Sequence, residues 1–176
     1  MTASNHVVSL EEVLVNREAR VVRQRGMLDR GNGAIISFTV NMPGPVKDTA
    51  DARVIFRAGL DALAAATRDA GFAVGEQREL YLPTGPEALL GFAAEAMAVK
   101  RMAVAVENTH PLGRLFDMDV LDASGASISR AALGAPMRTC LVCGGKAAVC
   151  GRSRAHAMDE LLAAIRKQVA AYTAGD

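Results

Sequence analysis

Apolar residues recur along the chain at two spacings, and each spacing predicts one kind of element. Leu10, Val13, Leu14, Val21 and Leu28 fall at helical spacing just after Ser9-Leu-Glu-Glu12. That tetrad reads as a capping box, in which Ser9 and Glu12 satisfy each other's free backbone donors. A helix should run to about residue 29 and close near Gly31. Arg17 and Gln24 fall inside its stripe, while Arg20, Arg23 and Arg30 share another face. Ile36, Phe38 and Val40 alternate with Ser37, Thr39 and Asn41, a strand over 34–41 with one apolar and one small polar face. The stiff loop Pro43-Gly-Pro-Val-Lys47 follows, and Asp48 caps a helix that ends at Gly71. Residues 72–82 predict a less regular strand. Thr84 opens a helix through Pro86 and Glu87 to about Met97. Met102, Val104 and Val106 alternate with Ala103, Ala105 and Glu107, which predicts a strand over 102–107. Phe116, Met118 and Val120 alternate with Asp117, Asp119 and Leu121, which predicts another over 116–121. A last helix over 156–172 buries Met158, Leu161, Leu162, Ile165 and Val169. The order is α-β-α-β-α-β-β-α. The expected fold is α/β (α+β): a single domain over 1–176, a mixed β-sheet with packed helices.

Composition narrows the function. The net charge of +1 gives no overall field toward nucleic acid or a membrane surface. Aromatic residues are 4% and Trp is absent, so platforms for stacking bases are not expected. No apolar run approaches transmembrane length, and the start Met1-Thr-Ala-Ser-Asn-His lacks a basic-then-apolar signal pattern. Three cysteines, an odd number, argue against a disulfide framework and for a reducing, cytoplasmic setting.

The chemistry gathers around Asp117 and Asp119. On a strand they point the same way and repel each other, and a cation between them relieves that repulsion. Mg²⁺ suits two carboxylates, with phosphates and water completing its shell. Read alone, the pair is equally a solvated strand face. If the strand over 102–107 is a neighbour, Glu107 is a third acid near the pair. Between the two strands, Gly113 permits close approach to a ligand, Arg114 offers a fork of donors for phosphate, and His110 can bind phosphate or take a proton. Lys47 stands at a helix start, where anions are favoured, although the loop lacks the ending of a Walker A motif. Cys140, Cys143, Cys150 and His156 place four soft or borderline ligands within a short segment. They are a candidate zinc site, with buried free thiols as the competing reading. Arg138, Arg152 and Arg154 offer a further phosphate surface.

Residues 110–121, HPLGRLFDMDVL, closely resemble the signature of the citrate lyase holo-acyl-carrier-protein synthases, the apo-citrate lyase phosphoribosyl-dephospho-CoA transferases. The resemblance extends to Ser37-Phe-Thr-Val40, Pro43-Gly-Pro-Val-Lys-Asp48, Thr84-Gly-Pro-Glu87 and Arg138-Thr-Cys-Leu-Val-Cys143. It implies a nucleotidyl-type transfer from 2′-(5″-triphosphoribosyl)-3′-dephospho-CoA to a serine of the citrate lyase acyl carrier subunit, with release of pyrophosphate. It implies that Asp117 and Asp119 hold Mg²⁺, and that Glu107 is a further ligand or the base, with His110 the second candidate for that role. Arg17, Lys47 and Arg114 would neutralise the triphosphate, beside Gly113 and Arg138, with Arg17 the inward-facing arginine of the first helix. The alternative is a non-enzymatic, zinc-containing adaptor that docks an acidic carrier through that helix.

Overall fold

The structure, a computed structural model, describes residues 3–175; Met1 and Thr2 of the expected signal-free start lie outside them. The first helix, α1 (Leu10–Leu28), begins as its capping box requires. Ser9 Oγ accepts the Glu12 N–H, and Glu12 accepts the Ser9 N–H. β1 (Ala34–Val40) follows, then α2 (Ala50–Asp69), which Thr49 caps. Asp48, expected as that cap, instead pairs with Arg53 and accepts the Ser4 N–H. β2 (Val74–Leu82) and β3 (Gly85–Phe92) form a hairpin. α3 (Ala96–Thr109) leads through a 3-10 turn (Gly113–Leu115) into β4 (Phe116–Asp122) and a short β5 (Ser127–Ile128). The chain ends in α4 (Ala147–Ser153) and α5 (Met158–Ala174).

The α+β class holds, with two exchanges and one change of sheet type. The sheet order is β2-β3-β1-β4-β5, and each neighbouring pair is antiparallel, so the sheet is not mixed. The expected helix from Thr84 is β3, because Gly85, at φ +104°, turns a hairpin where a helix start was read. The expected strand over 102–107 is the end of α3. Its alternation coincides with a helical stripe of buried Val99, Met102, Ala103 and Val106.

The main core lies on one side of the sheet. Ile36, Phe38, Ala88, Leu90, Phe92, Phe116, Met118 and Val120 pack there against α2, α3 and α5. Phe38 stacks on Phe56 of α2 at 5.3 Å and meets Phe116 edge-on at 5.6 Å. Such a buried ring contributes about 1.5–3 kcal/mol. Gly59 lets α2 cross directly over Phe38, since a Cβ there would collide with the ring.

α1 covers the opposite side, and its orientation reverses the expected one. Leu10, Val13, Leu14 and Val21 face solvent, and only Met27 and Leu28 reach a small second core with Ile35 and Leu89. The sheet beneath most of α1 is polar, so the helix turns its polar side inward.

Candidate active site and metal-ligand cluster

The β1 register sets the polar face. Thr39 pairs with Glu87 on one side and Asp117 on the other, and Ser37 pairs with Asp119. Directly paired residues project to the same side, so these groups form one surface under α1. Gln24 donates to Ser37 Oγ at 2.9 Å. Arg20 donates to Glu87 at 2.8 Å, and Arg23 and Asn16 bind the same carboxylate. Arg17 is exposed and takes no part. The inward arginines of α1 are Arg20 and Arg23, so the outer face on which an adaptor would use them does not exist.

Asp117 and Asp119 share this face, as the strand period requires. Asp117 lies 3.5 Å from Arg138 and from Thr39 Oγ1. Asp119 opens to solvent, yet the surrounding protein, and after it the Asp117 charge, raise its carboxyl above the ordinary value. Repulsion between the two is therefore a property of the site. The pair puts two carboxylates on one face of β4, the kind of hard oxygen donor that Mg²⁺ takes, and Asp119 is exposed.

Glu107 reaches this region from α3 rather than from a neighbouring strand. It is buried, accepts the Met118 N–H at 3.0 Å, and pairs with Arg130 and Arg138. Lys100, also buried on α3, donates to the Met118 carbonyl at 3.2 Å. Two helix side chains thus satisfy the edge of β4 where β5 has not begun. Burial lowers the Lys100 pKa, and the Glu107 and Asp119 charges oppose that shift. Among the described residues Glu107 does not join the aspartates in a three-ligand group.

Gly113 lets the chain pass close against the end of α3: a Cβ there would collide with the Glu107 carbonyl. Arg114 beside it is half-buried, and its Nε and Nη1 are buried without a partner. Burial and the neighbouring Arg138 disfavour its charge. Lys47 turns back to donate to the Met42 carbonyl, and burial lowers its pKa. His110 ends α3. Its Nδ1 accepts the Leu112 N–H at 3.0 Å, and its ring lies against Phe116 and Tyr172. Phe116 belongs to the core side of the sheet, so His110 stands across the sheet from the aspartates.

The cysteine segment folds into a compact knuckle. Thr139 bridges Lys146, the Gly145 carbonyl accepts the Cys140 N–H at 2.6 Å, and Gly144 takes the turn at φ +70°. α4 then carries Cys150 back toward the knuckle, and His156 follows. The ligand atoms of Cys140, Cys143, Cys150 and His156 all lie within 4.8 Å of one another. The Cys143 and Cys150 sulfurs are 3.6 Å apart, and His156 Nε2 is buried without a partner. Backbone N–H groups of Cys143 and Val142 lower the Cys140 thiol to about 6, toward the thiolate a metal needs. The Cys143 thiol, and burial with it, push Cys150 up to about 11. Three thiols and an orphaned imidazole fit a tetrahedral ion. The knuckle also places Arg138, whose carbonyl accepts the Ala147 N–H.

Lys100 and Arg130 carry no motif in the sequence, and the pairing of Glu87 with α1 cannot be read from the Thr84–Glu87 stretch that contains it. For Lys100 the signal is a charge at a position that α3, read as a helix, buries. Arg152 stands on exposed α4.

Comparison with known proteins agrees with this arrangement. Residues 8–172 match the family described as apo-citrate lyase phosphoribosyl-dephospho-CoA transferase. Proteins of that name from Escherichia coli O1:K1 and Citrobacter koseri are each 43% identical over 160 residues, covering 91% of this chain and 87% of the relative. A family of transferases sets aside the non-enzymatic adaptor. A single match that spans the sheet, the aspartate pair and the cysteine knuckle places this chain in the apo-citrate lyase phosphoribosyl-dephospho-CoA transferase family.

Proposed function

We propose that this transferase moves a phosphoribosyl-dephospho-CoA group from a triphosphoribosyl donor to a serine of the citrate lyase acyl carrier subunit. The serine oxygen forms a bond to the α-phosphorus, the bond to the pyrophosphate oxygen breaks, and the hydroxyl proton leaves to a base or solvent. Such transfers depend on positioning and on neutralising phosphate charge. One observation carries the reading: two aspartates on one face of β4, open on one side and bordered by the Arg138 guanidinium. Asp117 and Asp119 would hold Mg²⁺, which neutralises phosphate charge when bound. Arg138 and Arg114 would take phosphate oxygens as Arg forks do. Glu107 acts by holding Arg138, since both its oxygens are already engaged. Lys47, tied to Met42, shapes the loop beside the hairpin.

Cys140, Cys143, Cys150 and His156 would hold Zn²⁺ as a structural ion that fixes the knuckle and with it Arg138. A reducing cytoplasm keeps these thiols available. Weighing the apo-carrier by mass spectrometry after incubation with protein, donor and Mg²⁺ tests the reading. A mass gain equal to the transferred group is expected. An unchanged carrier, with the protein folded and its metals present, overturns it.

A further inference from the structure

A cavity of about 430 Å³ opens between the cysteine knuckle and the carboxyl-terminal helix. Its size falls in the range of small-molecule sites, about 300–1,000 Å³. Leu141, Ala147, Gly151, Met158 and Leu161 make its walls largely apolar. Cys140, Cys150 and His156 of the ligand cluster form part of one side, and Arg114 and Arg154 are its cationic groups. The Arg114 side chain borders both this cavity and the space next to Arg138, and its Nε and Nη1 are buried without a partner. A largely apolar chamber bordered by a guanidinium suits a ligand with a long, uncharged arm and a phosphate at one end.

Resting on the transferase reading above, we infer that this cavity receives the pantetheine arm of the dephospho-CoA moiety, with Arg114 binding its pyrophosphate. The arm supplies methylenes, methyls and amides for the apolar walls. Arg114 borders the same space as Arg138, which lies 3.5 Å from Asp117, so a donor held this way runs from the cavity toward the aspartate face.

Dephospho-CoA and ADP, which lacks the pantetheine arm, separate this idea from simple phosphate binding in a calorimetric titration. Wild-type protein should bind dephospho-CoA about tenfold or more tightly than ADP, since burying even a few methylenes gives that ratio. Gly151→Leu should bind the two alike. A Cβ at Gly151 meets no atom within 4 Å, so the new side chain enters open space and not packed protein. Removing a helix-interior glycine also favours folding; Ala147→Leu is the second blocking variant should Gly151→Leu not fold. Arg114→Met should weaken both ligands.

Equal wild-type affinities, no binding of either ligand, or a preference that survives both blocking variants would overturn the inference. The carrier-mass assay is read separately. Carrier modification without a pantetheine preference keeps the transferase reading and discards this one, and a blockable preference without modification does the reverse.

Discussion

The Glu107 carboxylate accepts the backbone N–H of Met118 at 3.0 Å, so a helix side chain fills the place of a missing strand. Its other contacts are Arg130 and Arg138. Glu107→Ala should therefore cost about 3–5 kcal/mol of stability, because it strands a backbone donor and two partly buried guanidiniums. Glu107→Gln keeps an acceptor for Met118 and should cost less. Urea denaturation of both variants checks this. A group acting only as a catalytic base would leave both midpoints unchanged.

Asp117→Asn and Asp119→Asn should keep the fold and lower carrier modification on the order of a hundredfold or more each. The changes are nearly isosteric, and removing one of two repelling charges does not harm the strand. The measurement is the initial rate of carrier mass gain at saturating Mg²⁺, beside a thermal melt. Wild-type rates in both variants would dissociate the aspartates from the reaction.

Purified protein should carry about one equivalent of zinc by elemental analysis. Cys140→Ser and His156→Ala should each lose the metal and lower the melting temperature. Carrier modification should fall with them, because the knuckle that holds the ion also holds Arg138. Metal-free wild-type protein with full activity would leave the cluster as plain thiols.

Acid should weaken the fold through Asp48. Hydrogen bonds from Arg53 hold its carboxyl below the ordinary carboxylate value. A depressed folded pKa stabilises above the unfolded value, and that contribution disappears as pH falls through the ordinary carboxylate value to the depressed one. Asp48→Asn should lose about 1.5–3 kcal/mol at neutral pH and show a flatter stability profile below pH ~4 than wild type. Denaturant midpoints across that range measure the difference.

Much of the site was legible because it lies on local patterns. Alternation alone put Asp117 and Asp119 on one face, and the Ser9–Glu12 box fixed where α1 starts. The Cys and His positions named the ligand set, although their convergence within 4.8 Å depends on the turn of α4. Where the reading failed, two periods competed. Residues 102–106 satisfy a strand alternation and a helical stripe at once, and only their continuity with Val99 decides for the helix. Thr84-Gly-Pro-Glu87 has the residues of a helix start, but Gly85 adopts a hairpin backbone. The facing of α1 could not be read from α1 at all. It is set by Glu87 and Ser37, polar groups on strands elsewhere in the chain, which invert the usual rule for an amphipathic helix.

That inversion changes how α1 responds to solvent. Leu10 is 75% and Val21 58% exposed, so docking most of this helix removes little hydrocarbon from water. Its attachment along Asn16, Arg20 and Arg23 is electrostatic, and the apolar anchor at Met27 and Leu28 sits at the far end. Releasing the helix should therefore carry a small heat-capacity change, unlike melting the sheet and its aromatic core. Added salt should loosen its middle first, where ion pairs act between the buried Val8 before the helix and the Met27–Leu28 anchor at its end. Amide hydrogen exchange along Leu10–Leu28 should consequently quicken with ionic strength while β1 and β4 remain protected.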